Sequence, residues 1–249
     1  KVIVFDLDET LGFFTEFGVF FDALQKMYRY QNIMKHSSPP KQLFSQVFDI
    51  YSDFYLRPSI LSILRYIREK KKEGVCSKVI LYTNNCGGRK WVKRIISFIE
   101  KKLKYKLFDK LIYGFYLFDT TKRIDKCRTS QEKTYKDLRK CGKIPKSAKI
   151  CFFDDRNNHY KMQHSNIKYV TVTPYRFTLP FDTQLDLFLK SDLKHIVKNH
   201  DAFINEMFYD MQRLWKFEKK KSPYGTRKRG GGRRCKKNIK FPSYLNQNE

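Results

Sequence analysis

Two aspartates separated by one residue follow a short apolar stretch near the start of the sequence. Residues 2–5 are apolar and rich in β-branched side chains, which predicts a buried strand, and Asp6 and Asp8 come directly after them. In open α/β sheets, ligands bind beyond the carboxyl ends of the strands, where two aspartates can hold one cation. We therefore expect the chemistry at Asp6 and Asp8. The alternative is an aspartate-rich turn without a catalytic role.

Polar side chains also follow two later apolar stretches. One stretch ends at Thr83 and Asn84, and the other ends at Asp154 and Asp155. Because the carboxyl ends of parallel strands share one edge of a sheet, we expect these groups to lie beside the first two aspartates. Clustered carboxylates repel one another unless a cation or a basic group lies among them, and hard oxygen ligands suit Mg²⁺. The sequence therefore predicts a magnesium site at this edge.

Strand-like and helix-like segments alternate along the chain. We predict strands at residues 2–5, 78–82, 149–153 and 167–172, with a further strand-like segment at 108–118. We predict helices at residues 22–32, 42–54, 59–73 and 90–103 and from a Ser130 cap to about Lys140, followed by two or three helices over about 182–190 and 193–217. Strands that alternate with helical crossovers predict an α/β fold built on a three-layer, doubly wound parallel sheet.

The length of 249 residues suits one domain with an appendage. We predict a domain over residues 1–217, with a small, partly helical insertion after the first strand at about 12–55. The insertion is rich in aromatic residues, which we expect to pack in a core or to line a substrate groove. Residues 218–249 are predicted to form a basic, disordered tail.

The chain carries a formal net charge of +27, which favours polyanionic partners. Much of the charge lies in residues 216–240, where Glu218 is the single acid. This segment could contact nucleic acid or an acidic partner, or direct the protein to the nucleus. Two alternatives are a tail that only aids solubility and a lysine bias that reflects an AT-rich genome.

Several classes of protein are disfavoured by the sequence. No apolar stretch approaches the roughly 20 residues of a membrane span, so we expect no membrane partner. The six cysteines include no C-x-x-C pair, which argues against a zinc site and against a disulfide framework. We therefore expect an intracellular, reducing compartment.

The motif around the first two aspartates resembles the opening motif of the haloacid dehalogenase superfamily, in the form typical of its RNA polymerase II C-terminal-domain phosphatase family. Further similarities follow in the same order over about residues 2–160. They comprise Leu56-Arg57-Pro58, the hydroxyl of Thr83, Lys136-Asp137-Leu138 and Phe152-Phe153-Asp154-Asp155. One departure is the pair Asn84-Asn85, where that family usually has Ala-Ser or Ala-Gly.

The resemblance implies a role for each matching residue. Asp6 would be the nucleophile that forms an aspartyl-phosphate, and Asp8 would be the general acid and base. The phosphate would be bound by Thr83 and Lys136, with Asn84 and Arg57 as weaker candidates. Mg²⁺ would be held by four aspartates: Asp6, Asp8 through its main-chain carbonyl, Asp155, and Asp154 through water.

Substrate choice depends on access to this site. Enzymes of the superfamily control access with cap domains, and neither gap in this sequence is long enough for a large globular cap. An open cleft favours a phosphorylated protein segment, so the leading hypothesis is a Mg²⁺-dependent protein serine/threonine phosphatase. One alternative is a phosphatase for nucleotides or nucleic-acid ends. Another is a non-catalytic polyanion-binding protein on the same fold.

Overall fold

A five-stranded parallel sheet forms the framework of the protein in the computed structural model. The structure describes residues 1–32, 39–117, 120–157 and 159–219, with only the backbone at 159, 160 and 213–219. The strands are β1 (Val2–Phe5), β2 (Lys78–Tyr82), β3 (Lys110–Ile112), β4 (Ile150–Asp154) and β5 (Ile167–Thr171). They lie in the order β3-β2-β1-β4-β5, and every neighbouring pair is parallel. The predicted α/β fold is confirmed.

Helices connect the strands and extend beyond them. They are α1 (Thr15–Gln31), α2 (Leu43–Tyr55), α3 (Ile60–Lys72), α4 (Gly88–Leu103), α5 (Tyr135–Gly142), α6 (His159–Met162), α7 (Phe181–Lys190), a 3₁₀ helix (Asp192–Ile196) and α8 (His200–Lys219). The sequence predicted two or three helices over about 182–190 and 193–217, and the second range is divided between the 3₁₀ helix and α8. Asn199 interrupts it, because its side-chain oxygen accepts the Ala202 N–H and so begins a new helix.

Two further boundaries differ from the sequence predictions. The segment 108–118 contributes only the three residues of β3, and its last residue lies outside the described part of the chain. Helix α5 begins at Tyr135 and not after Ser130, because the Thr134 side chain accepts the Asp137 N–H as the cap. The later start moves the residues before Tyr135 out of the helix and into a loop.

The described residues group into two compact units. The sheet unit comprises Lys1–Gly12 and Arg57–Tyr175, and the helical unit comprises Phe13–Leu56 and the described residues from Arg176 onward. The predicted insertion therefore shares a unit with the C-terminal helices. The domain boundaries at 1–217 and 218–249 stay a prediction, because the tail lies outside the described residues from 220 onward.

Strand register in the sheet unit brings the polar residues to one edge. Phe5 of β1 is paired with Leu81 of β2 on one side and with Phe153 of β4 on the other. Asp6 and Asp154 are therefore level with each other, and Thr83 lies one residue beyond that line. All three strands are buried almost throughout, which explains their near-continuous apolar sequences.

An aromatic core holds the helical unit together. The Phe17 ring lies within 6.5 Å of the rings of six neighbours, measured between centroids: Phe20, Phe21, Phe44, Phe48, Tyr51 and Tyr55, with Phe48 nearest at 4.6 Å. Phe20 also contacts Phe188 of α7 and Phe203 of α8. The aromatic residues of the insertion thus pack in a core of their own, as one of the two sequence interpretations expected.

A disulfide joins Cys127 to Cys141, with the two Cα atoms 5.6 Å apart. The sequence argued against disulfides, so this expectation is wrong for the pair. Spacing alone did not reveal it, because the loop after β3 turns back onto α5 and brings together cysteines that are 14 residues apart.

Among the described residues, no helix combines the length and apolar character needed to cross a membrane.

Candidate active site

Asp6 is a buried carboxylate at the carboxyl end of β1. The residue is only 6 % exposed, and its N–H donates to the Phe153 carbonyl at 2.9 Å. Burial raises the pKa of Asp6 to about 7, although Lys133 acts in the opposite direction. The Lys133 Nζ lies 2.9 Å from Asp6 Oδ1 and forms an ion pair with it. The Asp6 carboxylate is therefore largely shielded from water and has a cation beside it.

Lys133 also bridges to the neighbouring strand. Its Nζ is 2.7 Å from Asp154 Oδ2, and the residue is 2 % exposed. Burial alone would lower the pKa of Lys133, but Asp6 and Asp154 raise it above its ordinary value. The ammonium therefore stays charged between two carboxylates.

The structure does not bring Lys136, the lysine predicted to bind phosphate, to this cluster. Lys136 is exposed on α5, and Lys133 in the preceding loop lies among the carboxylates. Buried Asp137 folds that loop, because its carboxylate accepts hydrogen bonds from the Thr129 N–H and hydroxyl and from the Ser130 N–H. Lys133, and not Lys136, is therefore the lysine that contacts Asp6 and Asp154. The phosphate-binding role of Lys136 stays a prediction.

Three carboxylates lie close enough to share one cation. Oxygen atoms of Asp6, Asp154 and Asp155 all lie within 4.8 Å of one another, and the first two residues are buried. Asp155 is linked to the loop after β1, because the Thr10 hydroxyl donates to its Oδ1 at 3.2 Å. Burial and the neighbouring Asp154 raise the pKa of Asp155. This set of hard oxygen donors fits Mg²⁺.

Asp8 lies in the loop that follows β1 and is half-buried. Burial raises its pKa to about 6, and a hydrogen bond from Asn85 Nδ2 to Asp8 Oδ2, at 2.9 Å, opposes that shift. The loop turns sharply at Glu9, which has a φ of 59°. Arg57 holds the turn by donating to the carbonyls of Glu9 and Thr10 at 2.5 and 2.6 Å. Arg57 is therefore a structural clamp on the loop that carries Asp8.

Thr83 directly follows the last residue of β2 and is fully buried. Its N–H donates to the Ile112 carbonyl, and its Oγ1 accepts the Asn85 N–H at 2.9 Å. Behind it, the buried guanidinium of Arg128 donates to the Thr83 and Tyr113 carbonyls at 3.1 and 2.9 Å. Asn84 is exposed, and it is not among the residues that hold the aspartates.

Three residues with direct contacts at this site were missed by the sequence analysis: Lys133, Asn85 and Arg128. Lys133 and Arg128 are two of many basic residues in the chain, so composition gave no signal for them. Asn85 carried a weak signal, because it stands where the resembling family usually has a small residue. The roles of Asp6, Asp8, Thr83, Asn84, Asp154 and Asp155 stay predictions.

Most of the chain matches one known protein family. Residues 1–203 match the family described as NLI interacting factor-like phosphatase, and the matched segment includes every residue of this site. Neither a curated protein nor a solved structure matches the chain.

Proposed function

Because the chain belongs to the NLI interacting factor-like phosphatase family, whose fold is that of the haloacid dehalogenase phosphatases, we propose that it is a Mg²⁺-dependent protein phosphatase that forms an aspartyl-phosphate on Asp6. The observation that carries the proposal is the cluster of Asp6, Asp154 and Asp155 with Lys133 at the carboxyl edge of the sheet. A buried ion cluster at a ligand-binding edge is typical of a catalytic site.

Asp6 and Asp8 divide the reaction between them. In the first step, an Asp6 carboxylate oxygen attacks phosphorus, the bond from phosphorus to the seryl or threonyl oxygen breaks, and Asp8 gives that oxygen its proton. In the second step, Asp8 takes a proton from water as the water oxygen attacks the same phosphorus. Inorganic phosphate leaves, and the Asp6 carboxylate is restored. The pKa of Asp8, raised to about 6, suits a group that acts as both acid and base near neutral pH.

The metal and the basic residues have separate tasks. Mg²⁺ would be held by the carboxylates of Asp6 and Asp155 and the main-chain carbonyl of Asp8, with Asp154 supporting it, and when bound it would offset charge on the phosphoryl oxygens. Lys133 keeps the Asp6 carboxylate in place and adds a fixed positive charge beside it. The Thr83 hydroxyl is the candidate donor to a phosphoryl oxygen.

Phosphoserine and phosphothreonine in proteins are the substrates we propose. The family suggests a phosphoprotein substrate. The net charge of +27 supports an acidic, multiply phosphorylated segment, since opposite charge speeds association. The same charge also favours nucleotides or nucleic-acid ends as a second candidate class. A non-catalytic polyanion-binding role is the third, and the complete set of acidic residues at the site disfavours it.

Hydrolysis of p-nitrophenyl phosphate tests the reaction. We expect turnover with Mg²⁺, none with EDTA, and none in Asp6→Asn, while Asp8→Asn should be strongly impaired. Full activity in Asp6→Asn would falsify the mechanism. A panel of phosphopeptides and 5′- or 3′-phosphorylated oligonucleotides then separates the substrate classes, with faster turnover of phosphopeptides expected.

The basic tail is proposed to bind nucleic acid or an acidic partner, and a nuclear location is proposed on the same ground. Truncation after Phe217 should weaken salt-sensitive binding to an oligonucleotide and leave p-nitrophenyl phosphate turnover unchanged. Loss of turnover would show that the domain extends beyond that residue. Microscopy of the tagged full chain and of the truncated chain tests the location.

A further inference from the structure

Asn85 makes three hydrogen bonds that fix both its backbone and its side chain. Its N–H donates to Thr83 Oγ1, its Oδ1 accepts the Gly87 N–H, and its Nδ2 donates to Asp8 Oδ2, each at 2.9 Å. The Gly87 bond settles which amide atom faces Asp8, because the flipped amide would set two N–H donors against each other. The orientation of Asn85 is therefore determined by its own turn and does not depend on a substrate.

The turn that carries Asn85 is held in place from two other directions. A Cβ atom at Gly114 would lie 2.4 Å from the Asn85 carbonyl oxygen, so only glycine allows this close approach. Arg128 joins the carbonyls of Thr83 and Tyr113, one residue before Gly114. The amide of Asn85 is thus part of a preorganised support for the catalytic loop.

We propose that Asn85 is the positioning residue for Asp8, fixing the oxygen through which Asp8 exchanges its proton with the leaving group. The donor at Oδ2 leaves Oδ1 to carry the transferred proton, and it prevents rotation of the carboxylate. The bond from the Asn85 N–H also occupies a lone pair of the Thr83 hydroxyl, which leaves the hydroxyl hydrogen for a phosphoryl oxygen. One residue therefore aligns the proposed acid with the proposed phosphate ligand.

The inference rests on the proposed function, so its test compares two leaving groups. p-Nitrophenolate departs readily without a proton, whereas the seryl oxygen of a phosphoserine peptide needs one. Asn85→Leu has a similar shape and no donor. We expect its single-turnover rate of phosphoryl transfer from the peptide to fall by about 10²-fold, within the usual range for general acid catalysis, and its burst rate of p-nitrophenolate release to change far less. These rates report the first step alone, whereas the second step, in which Asp8 is the base, is common to both substrates. KM should change little on either substrate.

Asn85→Ser separates this effect from damage to the turn. The serine hydroxyl can still accept the Gly87 N–H but is too short to reach Asp8, so we expect the same dependence on the leaving group. Asn166→Leu is the matched control, because Asn166 also donates through Nδ2 to one oxygen but precedes β5 at the opposite edge of the sheet. It should behave as wild type on both substrates.

The outcomes are distinct. Equal losses of the first-step rate on both substrates in Asn85→Leu and Asn85→Ser would overturn the inference, because a purely structural defect does not depend on the leaving group. An unchanged first-step rate on the peptide would overturn it as well. A wild-type protein that hydrolyses neither substrate with Mg²⁺ would instead refute the proposed function. Selective loss on the peptide in both variants supports the assignment.

Discussion

Replacing Lys133 by methionine should both destabilise the protein and stop catalysis. Methionine keeps most of the length of the lysine side chain without its charge, so the Asp6 and Asp154 carboxylates would lose the ammonium that lies 2.9 and 2.7 Å away. Removing one partner from a buried ion pair typically costs about 3–5 kcal/mol. We expect a loss of that size in the free energy of unfolding at pH 8, and a smaller loss at pH 5, where Asp6, whose pKa is raised by burial, can take up a proton. Turnover should fall by at least about 10²-fold.

Urea denaturation in EDTA at pH 5 and pH 8 measures the stability, and p-nitrophenyl phosphate hydrolysis with Mg²⁺ measures the activity. Lys136→Met is the comparison variant, because Lys136 is the lysine that the sequence motif favoured and it is exposed. Substitutions at exposed positions usually change stability by no more than about 0.5 kcal/mol. If Lys136→Met loses turnover while Lys133→Met keeps both turnover and stability, the assignment of Lys133 is wrong.

Three further predictions concern the same unit. The folded-state pKa of Asp6 is raised from 3.8 to about 7, so the metal-free protein should lose stability as the pH rises between those values. Added Mg²⁺ should stabilise the protein more at pH 8 than at pH 5. Thermal denaturation with Mg²⁺ or EDTA tests both effects. Arg128→Met should lower the unfolding free energy by about 3 kcal/mol in urea titrations, because it leaves two buried carbonyls without their donor. Cys127→Ser should cost about 3 kcal/mol in the same assay, the usual value for a loop of this size, and a reductant should destabilise wild type by more than it destabilises the variant.

The sheet and its catalytic edge could be predicted because they depend on local patterns. Short apolar segments alternate along the sequence with segments of helical spacing, which indicates strands separated by helices. A polar residue after each apolar segment marks the carboxyl edge of the sheet. Thus β2 has the predicted bounds, and Asp6, Asp154 and Asp155 do come together as parallel register requires. No long-range information was needed for these residues, because each is fixed by the end of its own strand.

Residues outside the strands could not be placed in the same way. Lys133 and Lys136 are three apart, and the choice between them depends on where α5 begins, which the Thr134 cap and the buried Asp137 decide. The Cys127–Cys141 disulfide depends on the same loop. The insertion and the C-terminal helices form one unit through aromatic contacts such as that between Phe20 and Phe203. No short sequence pattern reveals these contacts.

The charges of the cluster give a physical reason for a divalent metal. When Asp6, Asp154 and Asp155 are ionised, the single ammonium of Lys133 leaves two negative charges among them. The raised pKa values of Asp6 and Asp155 show that burial opposes this ionised state. A proton on Asp6 can neutralise part of this negative charge, but it would occupy the oxygen that must attack phosphorus. A divalent cation would balance the two negative charges and leave one Asp6 oxygen free to react. The carboxylates that repel one another in the metal-free site are therefore the groups that suit the site to Mg²⁺.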